Sequence, residues 1–226
     1  MSPVDLTKWR RKAVFEFYRD FDYPQINVCV DIDVTSTVAY LKVQNLSKFK
    51  TILWTICHVS NSMDEFKFRI RKGNVILHDR VHPSFTVLTP DNLFAFCYAE
   101  YTQNIRIFFE RVEKGIQECS VNPSLEDEPG QDDVLYVSCL PWIHFTSISH
   151  PIKLDAGDSI PRISWGSFKE DKEKIGMPLA VQVHHGLADG YHLGKFFNQM
   201  QELLNDPAKL FERQRSSSDL DIPATF

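Results

Sequence analysis

The sequence predicts a single α+β domain, and three observations lead there. NVCVDIDV (Asn27–Val34) alternates apolar and polar residues, as a half-buried strand does. Segments with apolar residues at helical spacing lie between strands of this kind. No linker or low-complexity block divides them. In chain order, WRRKAVFEFY before Asp20 places Trp9, Ala13 and Phe17 on one helical side. Leu46, Phe49, Ile52, Leu53, Ile56 and Val59 mark a second helix, and Ile105, Phe108, Phe109, Val112 and Ile116 a third. Phe66–Arg71 and Val75–Leu77 flank Lys72-Gly73-Asn74, a hairpin signal. Further strands are expected at Ser84–Leu88, Leu93–Glu100, Val134–Cys139, Trp142–Thr146 and Leu179–His184. Leu193, Phe196, Phe197, Met200, Leu203 and Leu204 make the last helix amphipathic, with Asp189 placed to cap it. EDEPGQDD (Glu126–Asp133) reads as an acidic surface loop. The expected division is one domain over residues 1–210 and a C-terminal tail over 211–226.

Composition narrows the function. With 226 residues, 43% hydrophobic and 24% charged, the chain is long enough for a sizeable core. Seventeen Phe suggest an aromatic core or an aromatic-lined pocket. A net charge of −5 argues against a nucleic-acid or anionic-membrane partner. Five scattered cysteines without a CxxC pair suit thiols in a reducing compartment. The charged N-terminus has no apolar core of a leader, and no apolar stretch approaches ~20 residues. A cytoplasmic location is the expectation.

The chemistry concentrates in PLAVQVHHGLADGYHLGKFFNQMQELL, from Pro178 to Leu204. His184 and His185 end an apolar run, and Asp189-Gly190 opens a helix. Adjacent strand residues point to opposite faces, so the two histidines are poorly placed to share a metal ion, and no metal is expected. On spacing alone, a packed histidine and a catalytic one both remain open. The catalytic reading needs a neutral imidazole at a cleft edge, worth roughly 10²–10⁴-fold as a general base.

Longer stretches are more specific. QVHHGLADGYHLGKFFNQMQ resembles the active-site segment of the chloramphenicol acetyltransferases. WRRKAVFEFY resembles that family's opening helix, EFKFRIRKGNVILHDRVHPSFTV its hairpin and next strand, and VSCLPWIHFTSIS its Ser-x-x-Pro-Trp-x-x-Phe-Thr segment. The segments occur in family order and cover nearly all of residues 5–206.

The resemblance implies a coenzyme A-dependent acyltransferase fold, a two-layer sandwich of a large mixed sheet with helices on one side. It implies a homotrimer with the site between subunits, acetyl-coenzyme A as co-substrate and a small-molecule acceptor. His185 matches the general base, Ser138 the hydroxyl that donates to the oxyanion, and Asp189 a structural acid paired with Arg11. Gly190 is expected where a side chain would crowd the turn. Phe17, Tyr18, Phe94, Leu125 and His150 fall on acceptor-pocket positions; Trp142, Ser164 and Phe168 fall near the coenzyme. Cys139, on the opposite strand face from Ser138, is expected in the core. There are departures. His150 stands where relatives place an aliphatic residue, Leu125 where Phe is frequent, and Ser167 where a basic residue is common, with Lys169, Lys172 and Lys174 close by. The acidic loop is a fourth. Rival readings are the same chemistry on another hydroxylated acceptor and a non-catalytic binding homologue. The joint presence of His185, Ser138, Asp189 and Arg11 weighs against the second.

Overall fold

The computed structural model describes residues 1–125, 130–154 and 157–212. A two-residue strand β1 (Ser2–Pro3) and a short helix α1 (Lys12–Tyr18) open the chain. β2 (Gln25–Asp33) follows, then α2 (Thr35–Gln44) and α3 (Lys48–Asn61). Ser47 caps α3 by accepting from the Lys50 N–H. A 3-10 turn over Asp64–Phe66 leads to β3 (Phe68–Arg71) and β4 (Asn74–Leu77). Lys72 and Gly73, at φ 49° and 76°, make the two-residue left-handed turn that matches strand twist. β5 (His82–Leu88), β6 (Phe94–Tyr98) and α4 (Ile105–Val121) come next; Asn104 caps α4 through the N–H groups of Arg106 and Ile107. The chain closes with β7 (Val134–Leu140), β8 (Arg162–Gly166), β9 (Lys169–Asp171), β10 (Lys174–His184), α5 (Gly190–Asn205) and α6 (Pro207–Glu212).

The large sheet runs β2-β10-β8-β7-β5-β6, with β9 paired to β10, and β1-β4-β3 form a smaller sheet. Pairing is parallel for β5 with β7 and for β7 with β8, and antiparallel elsewhere. The sheet is therefore mixed, in an α+β chain. Register neighbours share a face, so the two faces can be read off the ladder. One carries Ile163, Trp165, Leu179, Val181, Val183, Phe85 and Val137, all in the main core with residues of α3, α4 and α5. The other carries Gln25, Asn27, Gln182, His184, Arg162, Ser164, Tyr136 and Ser138. The connection from β7 to β8 crosses this polar side. It is held there by Asn27 donating to the Ile148 carbonyl, by the His150 N–H donating to Gln182 Oε1, and by Gln25 donating to the Asp158 carbonyl.

Arg69 ties the small sheet down. Fully buried, it donates to the carbonyls of Phe66, Phe68, Asp132 and Val134. A second core of Phe15, Phe68, Ile70, Val75 and Leu187 seats α1 against this sheet and beside the turn after β10.

Four expectations change. Trp142–Thr146 is not a strand: Pro141 has no N–H for a ladder, and the Ile143 N–H donates to the Leu140 carbonyl, closing a turn at the end of β7. α2 was not expected; its only buried residues are Thr37 and Leu41, so it shows no apolar stripe. The tail expected from residue 211 begins inside α6, where Phe211 is buried, and residues 213–226 lie outside the described residues. Gly190 is uncrowded: a Cβ there meets nothing within 4 Å, because the residue starts α5 facing outward. In this turn the crowded glycine is Gly186, where a Cβ would lie 3.0 Å from the His184 ring and 3.3 Å from the Phe15 backbone. Of the acidic loop, residues 126–129 lie outside the described residues. Among the described residues no helix is long and apolar enough to cross a membrane, and no cluster of acidic, histidine or cysteine side chains is arranged for a metal. All five cysteines are free thiols.

Candidate active site

β10 delivers two histidines to different surroundings. His184 is buried, and its Nδ1 accepts from the Gly186 N–H at 3.1 Å. Burial pushes its imidazole down to about 4; His185 adds to this and Asp158 opposes it. His184 is thus a neutral, structural histidine. One residue on, the chain leaves the ladder. The His185 N–H donates to the Pro24 carbonyl at 2.7 Å, and the Leu187 and Ala188 N–H groups close the turn on the His184 carbonyl. The His185 ring stacks on Tyr18 at 4.3 Å between centroids and 10° between planes. Its Nδ1 is buried, whereas Nε2 is not sealed in.

Asp189 fixes this turn from the other side. It caps α5 through the Tyr191 N–H and shares a capping box with His192. Arg11 donates from Nη1 to Asp189 Oδ2 at 2.7 Å and from Nη2 to the His185 carbonyl at 3.3 Å. Burial works against the Asp189 charge, but Arg11 and His192 outweigh it and hold the carboxyl down to about 2. The network continues: His192 Nδ1 lies 2.8 Å from Asp189 Oδ1 and its Nε2 lies 3.2 Å from Glu65. The pairing of Arg11 with Asp189 appears here as expected from the sequence. Glu65 and His192 were missed. His192, three residues after an N-cap Asp, was findable from the capping-box spacing; Glu65 was not.

Ser138 occupies a different place. It sits mid-strand on β7, with Thr86 of β5 donating to its Oγ at 3.3 Å, so its own proton is free for another partner. Ser164 of β8 is its register partner, buried, with Oγ 3.1 Å from His150 Nε2. Thr86, Ser138, Ser164 and His150 thus make one polar row across the sheet. Cys139 faces the core side, and burial raises its thiol to about 12, so it offers no thiolate.

Ser138 and His185 do not meet within one chain. Ser138 is level with Ser164 and so with Ala180 on β10, five residues before His185. At about 3.4 Å per residue and about 4.8 Å between strands, the two lie on the order of 20 Å apart.

The remaining residues fall into four groups. Phe17, 63% exposed, packs edge-on against Tyr18 beside His185. Phe94, 53% exposed, is on the edge strand β6, and Leu125, 58% exposed, follows Ser124, whose carbonyl accepts from the Phe96 N–H. Trp142, 69% exposed, and Phe168 lie beyond the C-terminal ends of β7 and β8; the Lys48 ammonium sits 5.6 Å over the Phe168 ring. Lys169, Lys172 and Lys174 share a cleft of about 720 Å³ with Asp31, Asp33, Asp171 and Glu173.

The family model described as chloramphenicol acetyltransferase matches residues 1–201. The chain belongs to the chloramphenicol acetyltransferase family. A chloramphenicol acetyltransferase of Clostridium perfringens is 31% identical over 206 residues, covering 90% of this chain and 94% of its own. One of Streptomyces acrimycini is 32% identical over 216 residues, 92% and 96% of the two chains. A solved chloramphenicol acetyltransferase superposes with a TM-score of 0.81 at 24% identity, over 90% of this chain and all of its own. The dihydrolipoamide acetyltransferase of Azotobacter vinelandii shares the fold at a TM-score of 0.67 and 17% identity, over 93% and 98% of the two chains.

Proposed function

We propose that the chain transfers the acetyl group of acetyl-coenzyme A to the primary hydroxyl of chloramphenicol, in a homotrimer whose sites are shared between neighbouring copies. Membership of the family makes it an acetyltransferase, and chloramphenicol is the acceptor in the names of its relatives. The observation that carries the mechanism is the mounting of His185: stacked on Tyr18, its carbonyl held by Arg11, its Nε2 open.

In this reading Nε2 of His185 takes the proton of the acceptor hydroxyl as the oxygen attacks the thioester carbonyl carbon. The carbonyl oxygen becomes an oxyanion, and Ser138 Oγ–H donates to it, a bond worth about 2.7–4 kcal/mol in comparable sites. The intermediate collapses by breaking the C–S bond. The departing thiolate takes the proton from His185, leaving the acetyl ester and free coenzyme A thiol. Asp189 and Arg11 move no proton; they hold the base.

The separation of Ser138 from His185 favours a shared site. His185 of one copy would face Ser138 of the next, with Phe17 and Tyr18 on one wall and Phe94 and Leu125 on the other. The sheet would then form a two-layer sandwich with its helices on one side, its polar face turned toward the neighbouring copy. The coenzyme is assigned to Trp142, Ser164 and Phe168. A second reading, the same transfer to a different hydroxylated acceptor, is favoured by His150, a polar ring in the polar row.

Free-thiol release from acetyl-coenzyme A tests this directly, with chloramphenicol and with its analogue lacking the primary hydroxyl. Release with the antibiotic alone is expected. Silence with both from the folded oligomer would remove chloramphenicol as the acceptor.

A further inference from the structure

The polar row continues past Ser164 to a residue that the reaction as written does not use. Ser164 is fully buried, and among the described residues its hydroxyl has one partner, His150 Nε2 at 3.1 Å. A buried hydroxyl proton needs an acceptor, so Oγ–H donates to Nε2. A neutral imidazole that accepts at Nε2 carries its proton on Nδ1. Burial first, and then the Arg162 guanidinium, press His150 toward this neutral form. Nδ1 has no hydrogen bond among the described residues and is not sealed from solvent. The backbone under the ring is fixed: the His150 N–H donates to Gln182 Oε1 at 2.9 Å, and Gln182 Nε2 donates to the His150 carbonyl at 3.4 Å. An N–H donor is therefore held on a rigid mount next to Ser138.

Strand direction says which substrate it faces. Trp142 and Phe168 follow the C-terminal ends of β7 and β8. Gln182, which anchors His150, pairs with Arg162 at the opposite end of β8. A thioester arriving from Trp142 and Phe168 reaches Ser138 with His150 on its far side, where the acceptor must stand to attack.

We propose that His150 sets acceptor specificity, its Nδ1–H donating to an oxygen lone pair of the bound acceptor. The proposal rests on the assignment of Ser138 to the oxyanion and of Trp142 and Phe168 to the coenzyme. On chloramphenicol the candidates are the nitro, amide carbonyl and secondary hydroxyl oxygens. An acceptor with only hydrocarbon at that point gains nothing from the donor and costs it its water.

The test is the steady-state kinetics of thiol release by wild type, His150→Leu and His150→Gln, with chloramphenicol and acetyl-coenzyme A varied in turn. Leu is expected to raise the KM for chloramphenicol about tenfold, the worth of one hydrogen bond. The KM for acetyl-coenzyme A should stay within about twofold, and Gln, which retains an N–H donor, should restore the acceptor KM to within about threefold. His150→Met gives the same comparison should Leu fail to fold. An unchanged or lower chloramphenicol KM in an active Leu variant overturns the proposal. So does a fall in kcat at constant acceptor KM, or a rise confined to the KM for acetyl-coenzyme A, since either places the effect on Ser164 alone. Absence of turnover in the wild type is a separate failure: it strikes the chloramphenicol reading first and takes this proposal with it.

Discussion

Asp189→Asn is the sharpest test of how His185 is held. Asparagine keeps a capping side chain at the start of α5, so the substitution removes the charge and little else. The fall of the Asp189 carboxyl from the usual 3.8 to about 2 corresponds to roughly 2.5 kcal/mol, at about 1.4 kcal/mol per pH unit. The side chain is 31% exposed, and solvent screening reduces this to about 2 kcal/mol. The Arg11 side chain is only 13% exposed, and stranding it adds to the loss. For a domain of this length about 2 kcal/mol lowers the melting temperature by ~4–8 °C. Thermal melts by circular dichroism at pH 7, at one fixed protein concentration because assembly also stabilises, read this out. The sign with pH follows. A carboxyl depressed by folding stabilises above its unfolded pKa near 4, and that contribution disappears as pH falls toward 2. Wild-type and variant stabilities should therefore converge across that window. With Arg11 released from Asp189, its hold on the His185 carbonyl loosens, and kcat should fall on the order of tenfold. A variant that melts within about 1 °C of wild type at pH 7 would refute the reasoning.

Three more outcomes are expected. His185→Ala should lower turnover by about 10²–10⁴ and Ser138→Ala by about 10²–10³, each without unfolding. When the two variants are co-refolded in equal amounts, about one shared site in four holds both groups intact, and about a quarter of the activity should return; no recovery would place both groups in one chain's site. His184, pushed from 6.5 down to about 4, stabilises above its unfolded pKa of 6.5, and that stability is lost as pH falls toward 4. Urea midpoints should drop between pH 7 and pH 5, by up to about 3 kcal/mol in stability over the full window, and His184→Asn should flatten the curve; equal slopes would contradict the assignment.

Much of this site was legible where the signal is local. Asp189 reads as an N-cap because capping depends on residues within one turn, and the His184–His185 seam reads as a strand end because the apolar run stops there. The β3–β4 turn follows from Gly73 and the flanking alternation. What failed was not local. α2 lies on the protein with few buried side chains, so hydrophobic spacing had nothing to detect. Trp142 and Ile143 form an apolar run that faces outward, and apolarity alone does not distinguish an interior strand from an exposed turn. The Glu65–His192 contact joins residues 127 positions apart, which no spacing rule reaches. The role of His150 depends on which hydroxyl it meets, and only the β8 register supplies Ser164.

The clamp on His185 joins residues 178 positions apart in the chain. Closing a flexible loop of that length costs about 5 kcal/mol, more than the about 2 kcal/mol of the ion pair. Arg11 and Asp189 therefore cannot find each other first. The nine paired positions of β2 and β10, from Asp33 with Gly176 to Gln25 with His184, have to zip before the two charges become neighbours. The guanidinium then locks a loop that is already in place. During synthesis this makes the clamp a late feature: a nascent chain halted before β10 presents Tyr18 and Arg11 with no His185 to orient.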